Sequence, residues 1–265
     1  MNHSHLDQSQ NSYTELVLLI GLLFILMLYF YAAIFGGTKS HKKWPNYRYI
    51  TWFLGLTCIA FALVGPIANS SHINFVSHMY AHLLLGMLAP LLIALSFPLT
   101  LLLRTIKVQH ARFITKLLKS EIVVLLSNPI IASVLNIGGL WILYTTNLYS
   151  LMHQYTLIHL FVHIHIFLVG YLFTISIVYF DPTPHRYHFP YRSVCMILFL
   201  AGHDILSKYI FIHPPNMVPI EQSQAGGKVM YYGGDLVDLI IIFILCLQWY
   251  KTTTQRALLI KGQPN

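Results

Sequence analysis

The sequence predicts an all-α, polytopic membrane protein: a bundle of seven transmembrane helices with its N-terminus outside and its C-terminus in the cytoplasm. Three observations predict it. Of the 265 residues, 56% are hydrophobic and only 9% are charged, whereas a soluble domain carries roughly a quarter charged residues. Seven stretches approach the ~20 apolar residues that a helix needs to cross a bilayer. Lysine and arginine alternate between the connections as the positive-inside rule requires.

The seven stretches are residues 15–35, 49–68, 76–103, 122–144, 155–179, 192–212 and 229–250. The first has no basic residues before it and no small-residue cleavage site after it, so it reads as a span and not as a cleavable signal. The third is long and contains Pro90 and Pro98, which predict a kink or a broken end because proline lacks the N–H and crowds the preceding turn. Asn128-Pro129 predicts a kink near the start of the fourth. Asp181-Pro182-Thr183-Pro184 ends the fifth as a stiff turn, with Asp181 placed to pair with Arg186 or Arg192. Gly226-Gly227 and Gly233-Gly234 flank the start of the seventh. No repeat, low-complexity tract or soluble domain interrupts the pattern, so residues 1–265 read as one integral membrane domain.

Charge sets the orientation. Of the 16 Lys and Arg residues, 14 fall in odd-numbered connections or the tail. Lys39, Lys42, Lys43 and Arg48 follow the first helix. Arg104, Lys107, Arg112, Lys116 and Lys119 follow the third, and residues 107–119 read as a basic amphipathic helix on the inner surface. Arg186 and Arg192 follow the fifth, and Lys251, Arg256 and Lys261 lie in the tail. The second and fourth connections have none. Odd connections are therefore cytoplasmic, and Trp44, Tyr47, Trp52, Tyr231, Tyr232, Trp249 and Tyr250 mark the interfaces. The formal charge of +8 then reports topology, not affinity for nucleic acid. Cys58, Cys195 and Cys246 are far apart and form no CxxC pair, which argues against a thiol metal clip.

Histidine is the anomaly. There are 15, many in apolar runs, where an imidazole is costly unless it faces protein, water or metal. His78 and His82 in the third helix, and His159 and His163 in the fifth, share an i, i+4 spacing. Each pair puts two imidazoles on one helix face about 6 Å apart along the axis. His203 and Asp204 lie late in the sixth helix, and Asp235 and Asp238 early in the seventh. Counted from the outer ends, nearly all sit roughly 3–14 Å deep. Such a set from four helices contains the ingredients of a metal site for zinc, copper or iron. Asp204 or Asp235 either ligates or accepts the second N–H of a ligating histidine; Asp238 belongs to that outer shell. Met79 and Met230 lie at the same level and are either soft ligands for Cu(I) or packing residues. His165 points away from the His163 face, and His3 and His5 read as a solvated tail.

Five segments resemble the CtaG-type, multi-span cytochrome c oxidase assembly factors associated with caa-type oxidase. They are HMYAHLLLGMLAPLLIALSFPLTLLLR (78–104), HLFVHIHIFLVGYLF (159–173), DPTPHR (181–186), GHDILSKYI (202–210) and EQSQAGGKVMYYGGDLVDL (221–239). The resemblance implies a bacterial plasma-membrane protein that matures an oxidase, supplying or inserting copper at the buried site of its catalytic subunit, with an external copper chaperone as donor. It implies an assembly factor or metal chaperone and leaves catalytic activity open. Two other readings use the same residues. One is an intramembrane zinc hydrolase of a lipid amide or ester, with a metal-bound water of pKa near ~7. The other is haem held by histidines of facing helices.

Overall fold

The computed structural model describes residues 2–36, 43–71, 73–183 and 185–261, with side chains placed between residues 13 and 255. Lys39, Lys42 and Pro184 lie outside the described residues, as do the side chains of His3, His5, Arg256 and Lys261. The described residues are mostly helical and contain no strand. Its helices are α1 (Asn2–Phe35), α2 (Asn46–Leu63), α3 (Pro66–Ser71), α4 (Phe75–Leu83), α5 (Ala89–Leu95), α6 (Pro98–Thr105), α7 (Val108–Leu118), α8 (Glu121–Leu126), α9 (Pro129–Thr145), α10 (Leu148–Gln154), α11 (Thr156–Ile177), α12 (Phe189–Ile212) and α13 (Ile220–Lys261). A π-helical turn, Leu84–Leu88, joins α4 to α5.

Five of these units are long and apolar enough to cross a membrane, or six when α9 and α10, bent by 77°, count as one broken span. This is a multi-pass membrane protein. The span Phe75–Leu95 is its hub: 72% of its most apolar window is buried within the protein, against 11% for α1. α13, α11 and α2 pack around the hub, and α9 bridges α11 and α12. α1 lies at the edge, against α2 and α6.

Several boundaries differ from the sequence expectation. The second stretch ends at Leu63, because Gly65 takes a φ of +86°, and α3 begins afresh at Pro66. The third breaks at Phe97, which adopts the left-handed conformation (φ 58°) with Pro98 opening α6. Pro90 makes no such break. It sits just past the π turn, where Ala89 N–H bonds to Leu84 O. The Gly86 carbonyl, which an α-helix would bond to residue 90, instead packs on Gly170 of α11. No side chain at 170 would leave room for it. Asn128 caps α9 by accepting from Ile130 N at 3.0 Å, so the fourth stretch divides there. The seventh helix begins at Ile220, and both glycine pairs lie inside it. They serve contact: a Cβ at Gly226 would strike Phe75, and one at Gly227 would crowd the backbone of α12. Small residues at crossings are the usual basis of helix association in lipid.

Asp181 pairs with neither Arg186 nor Arg192. It caps α6, accepting from Leu99 N (3.1 Å), Thr100 N (2.8 Å) and Thr100 Oγ1 (2.5 Å). Helix N-termini leave N–H groups that need acceptors, and a carboxylate also complements the helix dipole. Trp44 is not a free interfacial anchor either. It is buried and donates to the Tyr29 hydroxyl, which donates to Ser96 O. Residues 108–118 form a helix with no buried residue. Of the cysteines, Cys195 is buried, Cys58 is partly buried, and Cys246 is exposed on α13.

Candidate metal centre

α4 is set by its cap and by one tie to α13. Asn74 accepts from Val76 N, and Phe75 N donates to Gln222 Oε1 at 2.9 Å. His78 and His82 follow on the buried face, 3% and 5% exposed. The Nε2 of His78 lies 3.1 Å from the Tyr144 hydroxyl. Its ring also meets Tyr149 and His153, with centroids 5.2 and 6.3 Å away. On α11, the rings of His159 and His163 lie 4.1 Å apart, and His163 Nδ1 is 2.8 Å from His159 O. His163 is buried and His159 is half-buried. His78 is within electrostatic reach of His82, His153, His159 and His163. These residues form one group at one end of the bundle.

A second group lies between α12 and α13. His203 is 1% exposed, and its ring lies so close to Gly234 that a Cβ there would collide with it. The carboxyl of Asp204 is within electrostatic reach of that of Asp235 and of Lys208. Asp238, one turn below Gly234, is wholly buried. His82 stands between the groups, within electrostatic reach of both His163 and His203.

Burial makes the unpartnered atoms informative. Both nitrogens of His82, both nitrogens of His203, both oxygens of Asp238 and Oδ1 of Asp204 are buried without a hydrogen-bond partner. Groups like these usually find a partner. Imidazole and carboxylate donors suit zinc, copper or iron, so the donor chemistry fits a metal ion. Yet no three His, Cys, Asp or Glu side chains among the described residues stand close enough to hold one. The donors lie in neighbouring layers, unassembled. Met79 and Met230 are fully buried in the apolar cluster with Phe75, Leu206 and Ile210. His165 turns from the group and packs on Gly139 of α9.

Sequence reasoning missed Tyr144, Tyr149 and His153. Tyr149 and His153 lie on α10, which reads as a connection in the sequence. Their own i, i+4 spacing was the available signal. His153 Nδ1 approaches Tyr149 O at 2.9 Å.

The chain is similar to uncharacterized proteins of mycobacteria. It is 29% identical over 255 residues to one from Mycobacterium tuberculosis and 27% identical over 255 residues to one from Mycobacterium leprae. Each match covers 88% of this chain and 39% of the relative, so the chain spans about two fifths of the length of the curated relatives it matches. No solved structure matches it significantly. Residues 27–252 match the family described as the cytochrome c oxidase caa3 assembly factor, and they include every histidine and aspartate of the two groups. The chain therefore belongs to the cytochrome c oxidase caa3 assembly factor family.

Proposed function

We propose that this chain handles copper during oxidase assembly, taking the ion at an outward-facing intramembrane His/Asp cluster and aiding its insertion into the catalytic subunit. The observation that carries the reading is the set of buried donors without partners: His82, His203 and Asp238. Family membership supplies the oxidase; the donors supply the cargo chemistry. Ligands that are present but not locked into a closed shell suit an ion that must be released. His153, His78, His159 and His163 form the entry side, and His82 leads from them to His203, Asp204, Asp235 and Asp238.

The topology in this proposal has seven crossings: α1, α2, the α4–α5 span, α9, α11, α12 and α13. α2 has 18 residues, about 27 Å at 1.5 Å per residue, enough for most of the hydrocarbon core. The distribution of Lys and Arg supports an external N-terminus and a cytoplasmic C-terminus. The membrane is the bacterial plasma membrane. The partners are the catalytic oxidase subunit and an external copper chaperone.

The test compares His82→Ala and His203→Ala with the unaltered protein for abundance, bound copper and oxidase copper together. Ligand loss is expected to leave abundance normal and lower copper affinity at least about tenfold, with an oxidase subunit that is present but short of copper. If both variants retain full copper and support a normal oxidase, the cluster is structural and the reading fails.

A further inference from the structure

At the end of the bundle opposite the histidines, α12 and α13 enclose a cleft of about 630 Å³, bordered by Tyr179, Arg186, His188, Arg192, Gln248 and Lys251. Among the described residues, no carboxylate lines it. Arg192 is its deepest cation, only 7% exposed. Its Nη1 donates to Ile177 O at 2.7 Å and stands 3.5 Å from Gln248 Oε1. Its guanidinium lies 4.3 Å over the Tyr179 ring. Its Nε is buried without a partner. Among the described residues, the charged or ionisable groups acting on it are Tyr179 and Arg186, and neither carries a negative charge at neutral pH. Asp181, the carboxylate nearest in sequence, is spent on Leu99 and Thr100. A buried guanidinium without a counter-ion is unfavourable, and the usual remedy is an anion.

We propose that this cleft binds a phosphate-bearing anion, held by Arg192 from below and by Arg186 and Lys251 at the rim. The planar guanidinium fork matches phosphoryl oxygens, and a basic pocket between membrane helices is a fitting seat for a lipid phosphate. Phe189 and Trp249 stack at its edge, and Val194 and Ile197 are exposed on the α12 face beyond it. Acyl chains would lie along that face. Free phosphate shares the headgroup chemistry but has no use for it. The site is independent of the copper reading.

The experiment uses the full chain, stripped of lipid in neutral detergent and observed by native mass spectrometry. Phosphatidylglycerol, phosphatidylcholine and inorganic phosphate are added separately, then phosphate is added against phosphatidylglycerol. The site predicts that phosphatidylglycerol is retained over phosphatidylcholine by about tenfold, and that Arg192→Gln and the double variant Arg186→Gln, Lys251→Gln each lose about tenfold. Displacement of the lipid by inorganic phosphate assigns the site to free phosphate; retention assigns it to the lipid headgroup. Arg186 and Lys251 are exposed, so the double variant keeps the test valid if Arg192→Gln fails to fold. Equal retention of the two lipids with no phosphate bound, or full phosphatidylglycerol binding by the double variant, overturns the proposal.

Discussion

The imidazole of His203 lies directly against the Gly234 backbone, in the space that any larger residue at 234 would claim. The contact fixes where the ring sits between α12 and α13. Gly234→Ala is expected to push it aside, lowering stability by about 1–3 kcal/mol as overpacked interiors do. Copper retention should fall with it. A variant with an unchanged melting temperature and unchanged bound copper would show that the ring's position is unimportant.

His78 and His82 should respond differently to neighbouring changes, because only His78 has a hydrogen-bonded ring nitrogen, at Tyr144. Tyr144→Phe removes that partner and should cost only about 0.6 kcal/mol, the average for an interhelical hydrogen bond. His82→Ala should leave stability similar and reduce copper retention far more than Tyr144→Phe does. Thermal melts and metal analysis of the two variants, side by side, decide it; equal losses of copper would place His78 and His82 in the same role.

Asp181 holds the first turn of α6 through three hydrogen bonds. Asp181→Ala should lower stability by about 0.5–2 kcal/mol, the range for a lost N-terminal cap. Proteolysis in detergent should then cut first near residues 97–100. A cleavage pattern identical to that of the unaltered chain would contradict the capping role.

Orientation is open to direct labelling. Ile73, 87% exposed before α4, should accept an impermeant thiol reagent in intact cells as Ile73→Cys. Lys116→Cys on α7 should react only after permeabilisation. The background needs Cys58, Cys195 and Cys246 removed, since Cys246 is exposed. Reaction of Lys116→Cys in intact cells would reverse the topology.

Much of the candidate site was legible because helical periodicity is arithmetic. The spacing of His78 to His82 and of His159 to His163 puts each pair on one face before any packing is known, and 204, 235 and 238 follow from matched depth. Tyr149 and His153 were missed despite their spacing, since α10 is seven residues long and bends away from α9. Gly226-Gly227 and Gly233-Gly234 read as flanking the start of the seventh helix and as points of close approach; the helix begins earlier, at Ile220, and the close approach is what the structure has. Glycine disfavours helix in water, but between packed membrane helices its missing side chain is what lets a neighbour's ring approach. Asp181 shows the same limit: its sequence neighbours are arginines, while its partners lie some 80 positions earlier.

The π turn at Leu84–Leu88 gives the hub span a strict count. A π turn holds one residue more than the α-helix covering the same path. Losing that residue closes the stretch to an α turn and keeps the register of His78 and His82, whereas gaining one more would rotate them by about 100° relative to Pro90 and everything after it. The surface connections can absorb insertions at small entropic cost; this stretch cannot. Chain length between His82 and Pro90 is therefore as much a part of the site as the imidazoles themselves, and a single-codon insertion there would misaim every donor on α4 while leaving each one chemically intact.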